Sequence, residues 1–122
     1  MDLTLNRIVD QFPLKVLSGS GRLDRPVRGG YASDLLSCVM KGAAPDILWV
    51  TLQFHMNVVA VAGLLDLAGV LITEGNRPDE ETLARAQQDG VVILVHPQST
   101  FTVVGRLNDL GIKGFEPAAG PR

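Results

Sequence analysis

The stretch ILWVTLQFHMNVVAVAGLLDLAGVLIT, residues 47–73, decides the fold class that the sequence predicts. It contains two short and almost wholly apolar runs, at residues 47–52 and 70–73. Runs of this length are typical of strands that are buried on both faces, as in a parallel sheet covered by helices. Between them, residues 56–67 have the length and apolar character of a helix. The stretch therefore predicts one strand–helix–strand unit.

The same alternation continues toward the C-terminus. Residues 78–88 and 100–110 have helical character, and residues 91–95 form a further apolar run. Gly69 and Gly90 follow helical stretches, where a residue with positive φ commonly ends a helix. Three such units predict a single α/β domain of three layers, with a mainly parallel, doubly wound-like sheet flanked by helices.

The N-terminal third is less regular. Its predicted elements are a helix, two short extended pieces and a second helix, over residues 3–12, 14–17, 27–32 and 34–41. Pro13 ends the first helix, while Ser33 is expected to be the N-cap of the second and Gly42 to close it. The packed domain is expected to span residues 1–113, followed by a disordered tail over residues 114–122 that is rich in Gly, Pro and Ala. The pattern does not fix the strand order.

The composition is that of an ordinary globular domain with an aliphatic core, since only 5% of the 122 residues are aromatic. The net charge of -2 disfavours nonspecific nucleic-acid binding, which needs a dense cationic surface. The single cysteine, Cys38, excludes an internal disulfide and a cysteine-rich metal site. Neither a membrane span nor a signal peptide is predicted, so we expect a cytoplasmic protein that does not bind membranes.

Polar residues follow each of the three apolar strands. In chain order they are Gln53, His55 and Asn57, then Glu74, Asn76 and Arg77, then His96, Gln98 and Ser99. Because parallel strands point the same way, residues that follow them meet at one edge of the sheet, where α/β folds commonly bind ligands. Gly30 and Ser33 are expected at the same edge, and the Gly29–Gly30 pair would allow a ligand to approach the backbone. The predicted ligand-binding residues are therefore Gly30, Ser33, Gln53, His55, Asn57, Glu74 and Arg77.

The helix starts at this edge differ in charge. Pro78 is expected at the first helical position of its helix, followed by three acidic residues that suit the helix dipole and would repel a phosphate. The helices that begin after Asn57 and Ser99 have no acidic residue in the first turn, so their N–H groups are available to an anion. A small anionic ligand such as an adenine nucleotide would suit these groups, the amides and Arg77.

Other interpretations of the same residues stay open. His55 or Asn57 alone is explained by helix capping, and Arg77 by a solvated loop charge. His55, His96 and Glu74 form a two-histidine, one-carboxylate metal site only if their loops converge. The sequence contains no GxSxG, Walker A lysine, CxxC or HExxH motif, and no nucleophile paired with a base, so we expect no enzymatic activity and no resident cofactor.

Two stretches resemble a known family. GGYASDLLSCVMKGA, and ILWVTLQFHMNVVAVAGLLDLAGVLITEGNRPDEETLARAQQDGVVILV after it, are similar to the DRTGG domain, and more narrowly to small stand-alone DRTGG proteins of anaerobic bacteria. The resemblance covers residues 3–112. It depends on the order and spacing of these stretches, because the letters DRTGG do not occur and the nearest string is GNRPDE.

The resemblance implies a regulatory, ligand-binding module. Such domains stand between nucleotide-binding CBS modules in some inorganic pyrophosphatases and before the catalytic part of some phosphate acetyltransferases. A related domain forms the N-terminal half of HPr kinase/phosphorylase, whose kinase half and P-loop are absent from this sequence. The resemblance also implies a homodimer, and a link to iron-only hydrogenase or redox-signalling proteins.

The sequence thus favours a non-catalytic regulatory module that senses an adenine nucleotide or similar anion and acts in redox or energy metabolism. One alternative is a protein-interaction module that dimerises or docks on a redox-enzyme or signalling partner and binds no small ligand. It predicts a large exposed apolar patch. A second alternative is a metal-dependent enzyme that uses His55, His96 and Glu74.

Overall fold

The computed structural model describes residues 3–117. The helices and strands are, in chain order, α1 (Leu5–Gln11), β1 (Lys15–Ser18), β2 (Gly29–Ala32), α2 (Leu36–Gly42), β3 (Ile47–Thr51), α3 (Met56–Leu65), β4 (Gly69–Ile72), α4 (Glu80–Asp89), β5 (Ile93–Val95) and α5 (Thr100–Asp109). A single 3₁₀ turn, Ser20–Arg22, lies between β1 and β2. Within residues 3–117, no helix has the length and apolar character needed to cross a membrane.

The strands form one sheet in the order β1-β5-β4-β3-β2. Strands β2 to β5 are parallel, while β1 runs antiparallel to its neighbour β5. This arrangement confirms the predicted mainly parallel α/β sheet, and it supplies the strand order that the sequence left open. The four parallel strands stand in chain order across the sheet, so each strand–helix unit is added on the same side of the one before.

Helices cover both faces of the sheet and complete the three predicted layers. On one face, α2, α3 and α4 pack over a cluster that includes Trp49 and Val58. On the other face, α1 and α5 pack over a cluster that includes Leu48, Ile8 and Val103. Because successive residues of β3 enter opposite clusters, its entire length is buried. Each fully buried large apolar side chain, such as that of Leu48, stabilises the fold by about 1.5–3 kcal/mol relative to an exposed one.

The boundaries of α2 differ from the prediction at both ends. Leu35, not Ser33, occupies the N-cap position, and the Leu35 N–H donates to Ser33 Oγ at 3.2 Å in a local turn. Gly42 is the last residue of α2 and does not have a positive φ. A Cβ at Gly42 would lie 2.5 Å from the ring of Tyr31, so close packing, and not helix termination, requires glycine there.

The end of α3 and the start of α4 also differ in part from the prediction. Asp66, with φ +56°, ends α3, and Gly69 is instead the first residue of β4. Pro78 precedes the N-cap of α4, which is Asp79, and so does not hold the first helical position. Gly90, at φ +71°, ends α4 as predicted.

The chain after α5 continues along the sheet edge past the predicted boundary at residue 113. The N–H of Gly30 donates to the carbonyl oxygen of Lys113 at 2.9 Å, and the N–H of Phe115 donates to the carbonyl oxygen of Gly30 at 2.8 Å. Gly114 thereby pairs with β2 in the parallel direction and covers an otherwise exposed edge strand. The first residues of the predicted tail thus lie along β2, and its residues 118–122 lie outside the described part of the chain.

Arg25 links the two turns that lead into β3 and β4. Its Nε lies 2.7 Å from an oxygen of Asp46, and its Nη1 lies 3.0 Å from an oxygen of Asp66. Both aspartates have positive φ, +68° and +56°, which is costly for any residue but glycine. Burial alone would lower the pKa of Arg25, but hydrogen bonds to Asp66 and Asp46 outweigh it and raise the pKa. The charged guanidinium therefore holds both turns.

Replacing Arg25 should destabilise the fold more than replacing a surface arginine. We expect Arg25→Met to lower the free energy of unfolding by about 1–3 kcal/mol, because two charge-assisted contacts are lost. Arg85→Met, which removes an exposed pair with Asp89 at 3.0 Å in α4, should cost about 0.5 kcal/mol or less. Urea unfolding measures both, and equal effects would contradict the role given to Arg25.

Candidate functional site

The carboxyl ends of the parallel strands lie along one edge of the sheet, as the sequence predicted. Thr51 pairs with Ile72, and Ile72 pairs with Val95, so β3, β4 and β5 end in one row. The loops that follow begin side by side and are joined directly. The side-chain amide of Asn76, for example, donates to the carbonyl oxygen of Leu52 at 3.1 Å.

Asp34 organises the loop that follows β3. Its Oδ1 accepts hydrogen bonds from Thr51 Oγ1 and from the N–H of Leu52, both at 2.9 Å. Gln53 Nε2 donates to the carbonyl oxygen of Asp34 at 3.0 Å. Gln53 therefore contributes to the framework of the loop, and its amide nitrogen is already engaged.

The start of α3 is exposed and lacks a side-chain cap. His55 occupies the N-cap position, but its side chain makes no capping hydrogen bond, and the first turn contains no acidic residue. The imidazole instead stacks on the ring of Phe54, with centroids 4.8 Å apart and planes inclined by 29°. The positive end of the helix dipole is therefore not neutralised by a side chain of the helix.

The start of α4 has the opposite character. Asp79 Oδ1 accepts a hydrogen bond from the N–H of Thr82 at 2.8 Å, and Glu80 and Glu81 follow in the first turn. Hydrogen bonds from Thr82, above all from its backbone N–H, lower the pKa of Asp79, and the nearby His55 lowers it further. This helix start is already saturated with negative charge.

A groove of about 810 Å³ lies between the two helix starts. Its lining residues are Phe54, His55, Met56, Arg77, Pro78, Asp79, Glu80, Glu81 and Thr82. His55 and Arg77, which the sequence predicted from different loops, therefore line one groove. The volume is in the range of small-molecule sites, about 300–1,000 Å³.

The charges of this groove are divided between its two sides. The α3 side presents the uncapped helix start and the Phe54–His55 pair. Arg77 also lines the groove, from the loop between β4 and α4. The α4 side presents the carboxylates of its N-cap and first turn. An anionic group is therefore accommodated at the α3 side and repelled at the α4 side, where hydroxyl or amine donors fit.

The other predicted residues lie outside the groove. Asn57 is exposed in the first turn of α3, and Glu74 is exposed in a turn with φ +66°. Ser33 participates in the packing of the sheet edge, where its carbonyl oxygen accepts a hydrogen bond from Trp49 Nε1 at 2.8 Å. Gly30 lies within β2, away from the carboxyl edge, and it lines a different pocket.

His96 is buried, and contacts with neighbouring residues occupy both of its ring nitrogens. It is 6% exposed, with its Nδ1 at 3.3 Å from the carbonyl oxygen of Pro13 and its Nε2 at 3.0 Å from Gln98 Oε1. His55 is exposed at the start of α3, and no set of three His, Cys, Asp or Glu side chains in residues 3–117 is arranged to hold a metal ion. The metal site hypothesised from His55, His96 and Glu74 is therefore wrong in its geometry.

Two further pockets contain residues that the sequence did not single out. A pocket of about 240 Å³ on the other side of the β4–α4 loop is lined by Pro13, Lys15, Gly75, Asn76, Arg77, Val95, His96 and Pro97. Lys15 reaches this place because β1 is antiparallel to β5, which no local pattern revealed. A pocket of about 320 Å³ beside α5 includes Gly30, Val104, Leu107 and Ile112, and its rim carries Phe101, which is 90% exposed.

The cap of α4 should make stability depend on pH in the acid range. Because the pKa of Asp79 is lowered from 3.8, its charged form stabilises the fold fully above 3.8, and this contribution is lost as the pH falls through the folded-state pKa. We expect wild type to have a higher Tm than Asp79→Asn near neutral pH, with a difference that shrinks below 3.8. Thermal unfolding across pH measures it, and a difference independent of pH would contradict the assignment.

Comparison with known proteins supports the fold. No curated protein matches this chain. Among solved structures, it is similar to the CBS and DRTGG domains of the regulatory region of Clostridium perfringens pyrophosphatase, complexed with the activator diadenosine tetraphosphate. The TM-score is 0.69 at 14% identity, over 84% of this chain and 44% of that chain. The likeness establishes the fold alone, and this chain corresponds to less than half of that regulatory-region chain.

The sequence profile of the DRTGG domain matches residues 36–110, more than half of the 122 residues. The matched stretch runs from the start of α2 to the end of α5. It therefore includes all of the residues that line the groove between α3 and α4. This chain belongs to the DRTGG domain family.

Proposed function

We propose that this protein is a non-catalytic regulatory module that binds a small anionic ligand, such as an adenine nucleotide, in the groove between α3 and α4. The observation that carries the proposal is the convergence of His55 and Arg77 on one groove beside the uncapped start of α3. The groove thereby combines an aromatic surface, a cation and backbone N–H groups. These are the groups that a base and a phosphate require.

The α3 side of the groove provides the main contacts in this proposal. The base stacks against the Phe54–His55 pair, an arrangement that is worth about 1–3 kcal/mol for a nucleic-acid base. The phosphate lies between the start of α3 and Arg77. The helix dipole contributes about 0.3–1 kcal/mol at an exposed site, so Arg77 supplies the larger part of the attraction.

The α4 side sets the orientation of the ligand. The carboxylates of Glu80 and Glu81 repel phosphate and accept hydrogen bonds from ribose hydroxyls or from the exocyclic amine of adenine. A nucleotide is thereby favoured over a bare anion of the same charge. This division of charge explains why a groove with three acidic residues still suits an anionic ligand.

The family supports a regulatory role. The Clostridium perfringens pyrophosphatase carries its DRTGG domain in a regulatory region, and that region was crystallised with an adenine-nucleotide activator. By analogy, the present chain senses a nucleotide and transmits its occupancy to a partner. We place this partner among redox or hydrogenase-associated proteins of the cytoplasm, as the resemblance of the sequence implies.

Nucleotide binding should depend on both groove residues. We expect AMP, ADP or ATP to raise the Tm of wild type, since a ligand at about 100 times its Kd stabilises a protein by about 2.7 kcal/mol. His55→Ala and Arg77→Gln should each abolish most of this shift, while the Tm of the free protein changes little because both side chains are exposed. Differential scanning fluorimetry measures the shift.

Arg85→Gln is the matched control, because it removes an exposed arginine of α4 that does not line the groove. It should retain the wild-type response to nucleotides. Binding that survives both His55→Ala and Arg77→Gln, or that is absent from wild type, would rule out this site.

We also propose that the exposed face of α5 mediates self-association. Phe101 is 90% exposed and stands on the rim of the 320 Å³ pocket formed with Val104, Leu107 and Ile112. In a two-fold symmetric dimer, the phenyl ring of each copy would enter the pocket of the other. The exposure of Phe101 beside this pocket favours a role as a protein-interaction module. That role is compatible with nucleotide binding at the opposite face of the sheet.

Removing the aromatic ring should therefore weaken a dimer. We expect light scattering after size exclusion to give a dimer for wild type and a monomer for Phe101→Ser at the same concentration. Leu64→Ser is the matched control, because Leu64 is 72% exposed but lies on α3, on the other face of the sheet. A monomeric wild type, or a dimer that Phe101→Ser leaves intact, would contradict this proposal.

A further inference from the structure

The 240 Å³ pocket beside the β4–α4 loop has two cationic residues in its lining. Lys15 on β1 and Arg77 both line it, and no carboxylate is among its lining residues. Within residues 3–117, the ion pairs involve Arg25, Arg28 and Arg85, so the charges of Lys15 and Arg77 are not neutralised by such a pair. Two unpaired cations facing one small concave space attract anions.

The walls of this pocket are held in place by buried contacts. The ring Nδ1 of His96 contacts the carbonyl oxygen of Pro13, and the backbone N–H of His96 donates to the carbonyl oxygen of Ile72 at 3.0 Å. On the other side, Asn76 is fixed by its hydrogen bond to Leu52. These walls therefore require little ordering when the pocket is filled, and the ordering cost of binding falls mainly on the exposed side chains of Lys15 and Arg77.

Arg77 also lines the groove between α3 and α4, so the two spaces share a cation. We propose that the pocket is a polyphosphate subsite, in which Lys15 and Arg77 hold the phosphates beyond the first. This inference rests on the proposed nucleotide site and narrows its ligand class to nucleoside polyphosphates. A chain of two or three phosphates that leaves the groove at Arg77 enters the pocket toward Lys15.

If the pocket is a polyphosphate subsite, Lys15 determines how strongly the protein prefers nucleotides with more phosphates. Isothermal titration of wild type with AMP, ADP and ATP, in the presence of EDTA, should give an affinity for ATP about tenfold or more above that for AMP, the gain from one charge-assisted contact. Lys15→Gln should reduce this ratio about tenfold and leave the Kd of AMP unchanged, while Lys15→Arg should retain most of it. Lys41→Gln, which removes an exposed lysine of α2, is the matched control.

The outcomes separate the subsite from the nucleotide site. Equal Kd values for AMP and ATP, or a ratio that Lys15→Gln does not change, would overturn the subsite and leave the nucleotide site standing. If no nucleotide binds, inorganic tripolyphosphate tests the pocket directly. Binding that Lys15→Gln and Arg77→Gln weaken and Lys41→Gln does not would support the pocket as a polyphosphate site, and absence of binding would overturn it.

Discussion

The parallel pairing of β3, β4 and β5 is the constraint on which the candidate site depends. Their register places Thr51, Ile72 and Val95 in one row, so three loops leave the sheet at the same height. The helices that follow are brought close together by that alignment, and α3 contacts α4 directly. A groove between their N-termini is then a consequence of the sheet. A change of register by one residue would move the whole hydrophobic set of a strand to the other face and separate the loops.

The sequence predicted the part of this arrangement that local patterns encode. Apolar runs identified the buried strands. Of the residues predicted to share one edge, His55 and Arg77 line one groove, and their role in ligand binding stays a prediction. The same reasoning misplaced Gly30, because a glycine pair at a strand indicates freedom of the backbone and not the position along the strand. In the structure, the N–H of Gly30 donates to the carbonyl oxygen of Lys113, and the carbonyl oxygen of Gly30 accepts from the N–H of Phe115 at the sheet edge.

The remaining errors have a common physical origin in contacts between distant parts of the chain. Gly42 was interpreted as a helix terminator, but its lack of a side chain accommodates Tyr31. Asp66 ends α3 with a positive φ, which Arg25 stabilises from a loop that lies 41 residues earlier. Lys15 carries no local signal, because its position depends on β1 lying antiparallel beside β5. His96 was located after its strand, but its contact with Pro13 could not be read from local sequence.

The division of charge at the edge suggests how such a site can discriminate among anions. Asp79 and the two glutamates that follow it neutralise the start of α4, so the dipole of that helix attracts no phosphate. The positive groups that remain line two spaces that share Arg77: the start of α3 and Arg77 line the groove, and Arg77 and Lys15 line the 240 Å³ pocket. A compact anion satisfies one of these groups, whereas an extended anion satisfies several, and each added contact must exceed the cost of ordering the side chain that makes it. In the proposed site, the length of the ligand's anionic chain is therefore the property that these groups distinguish best.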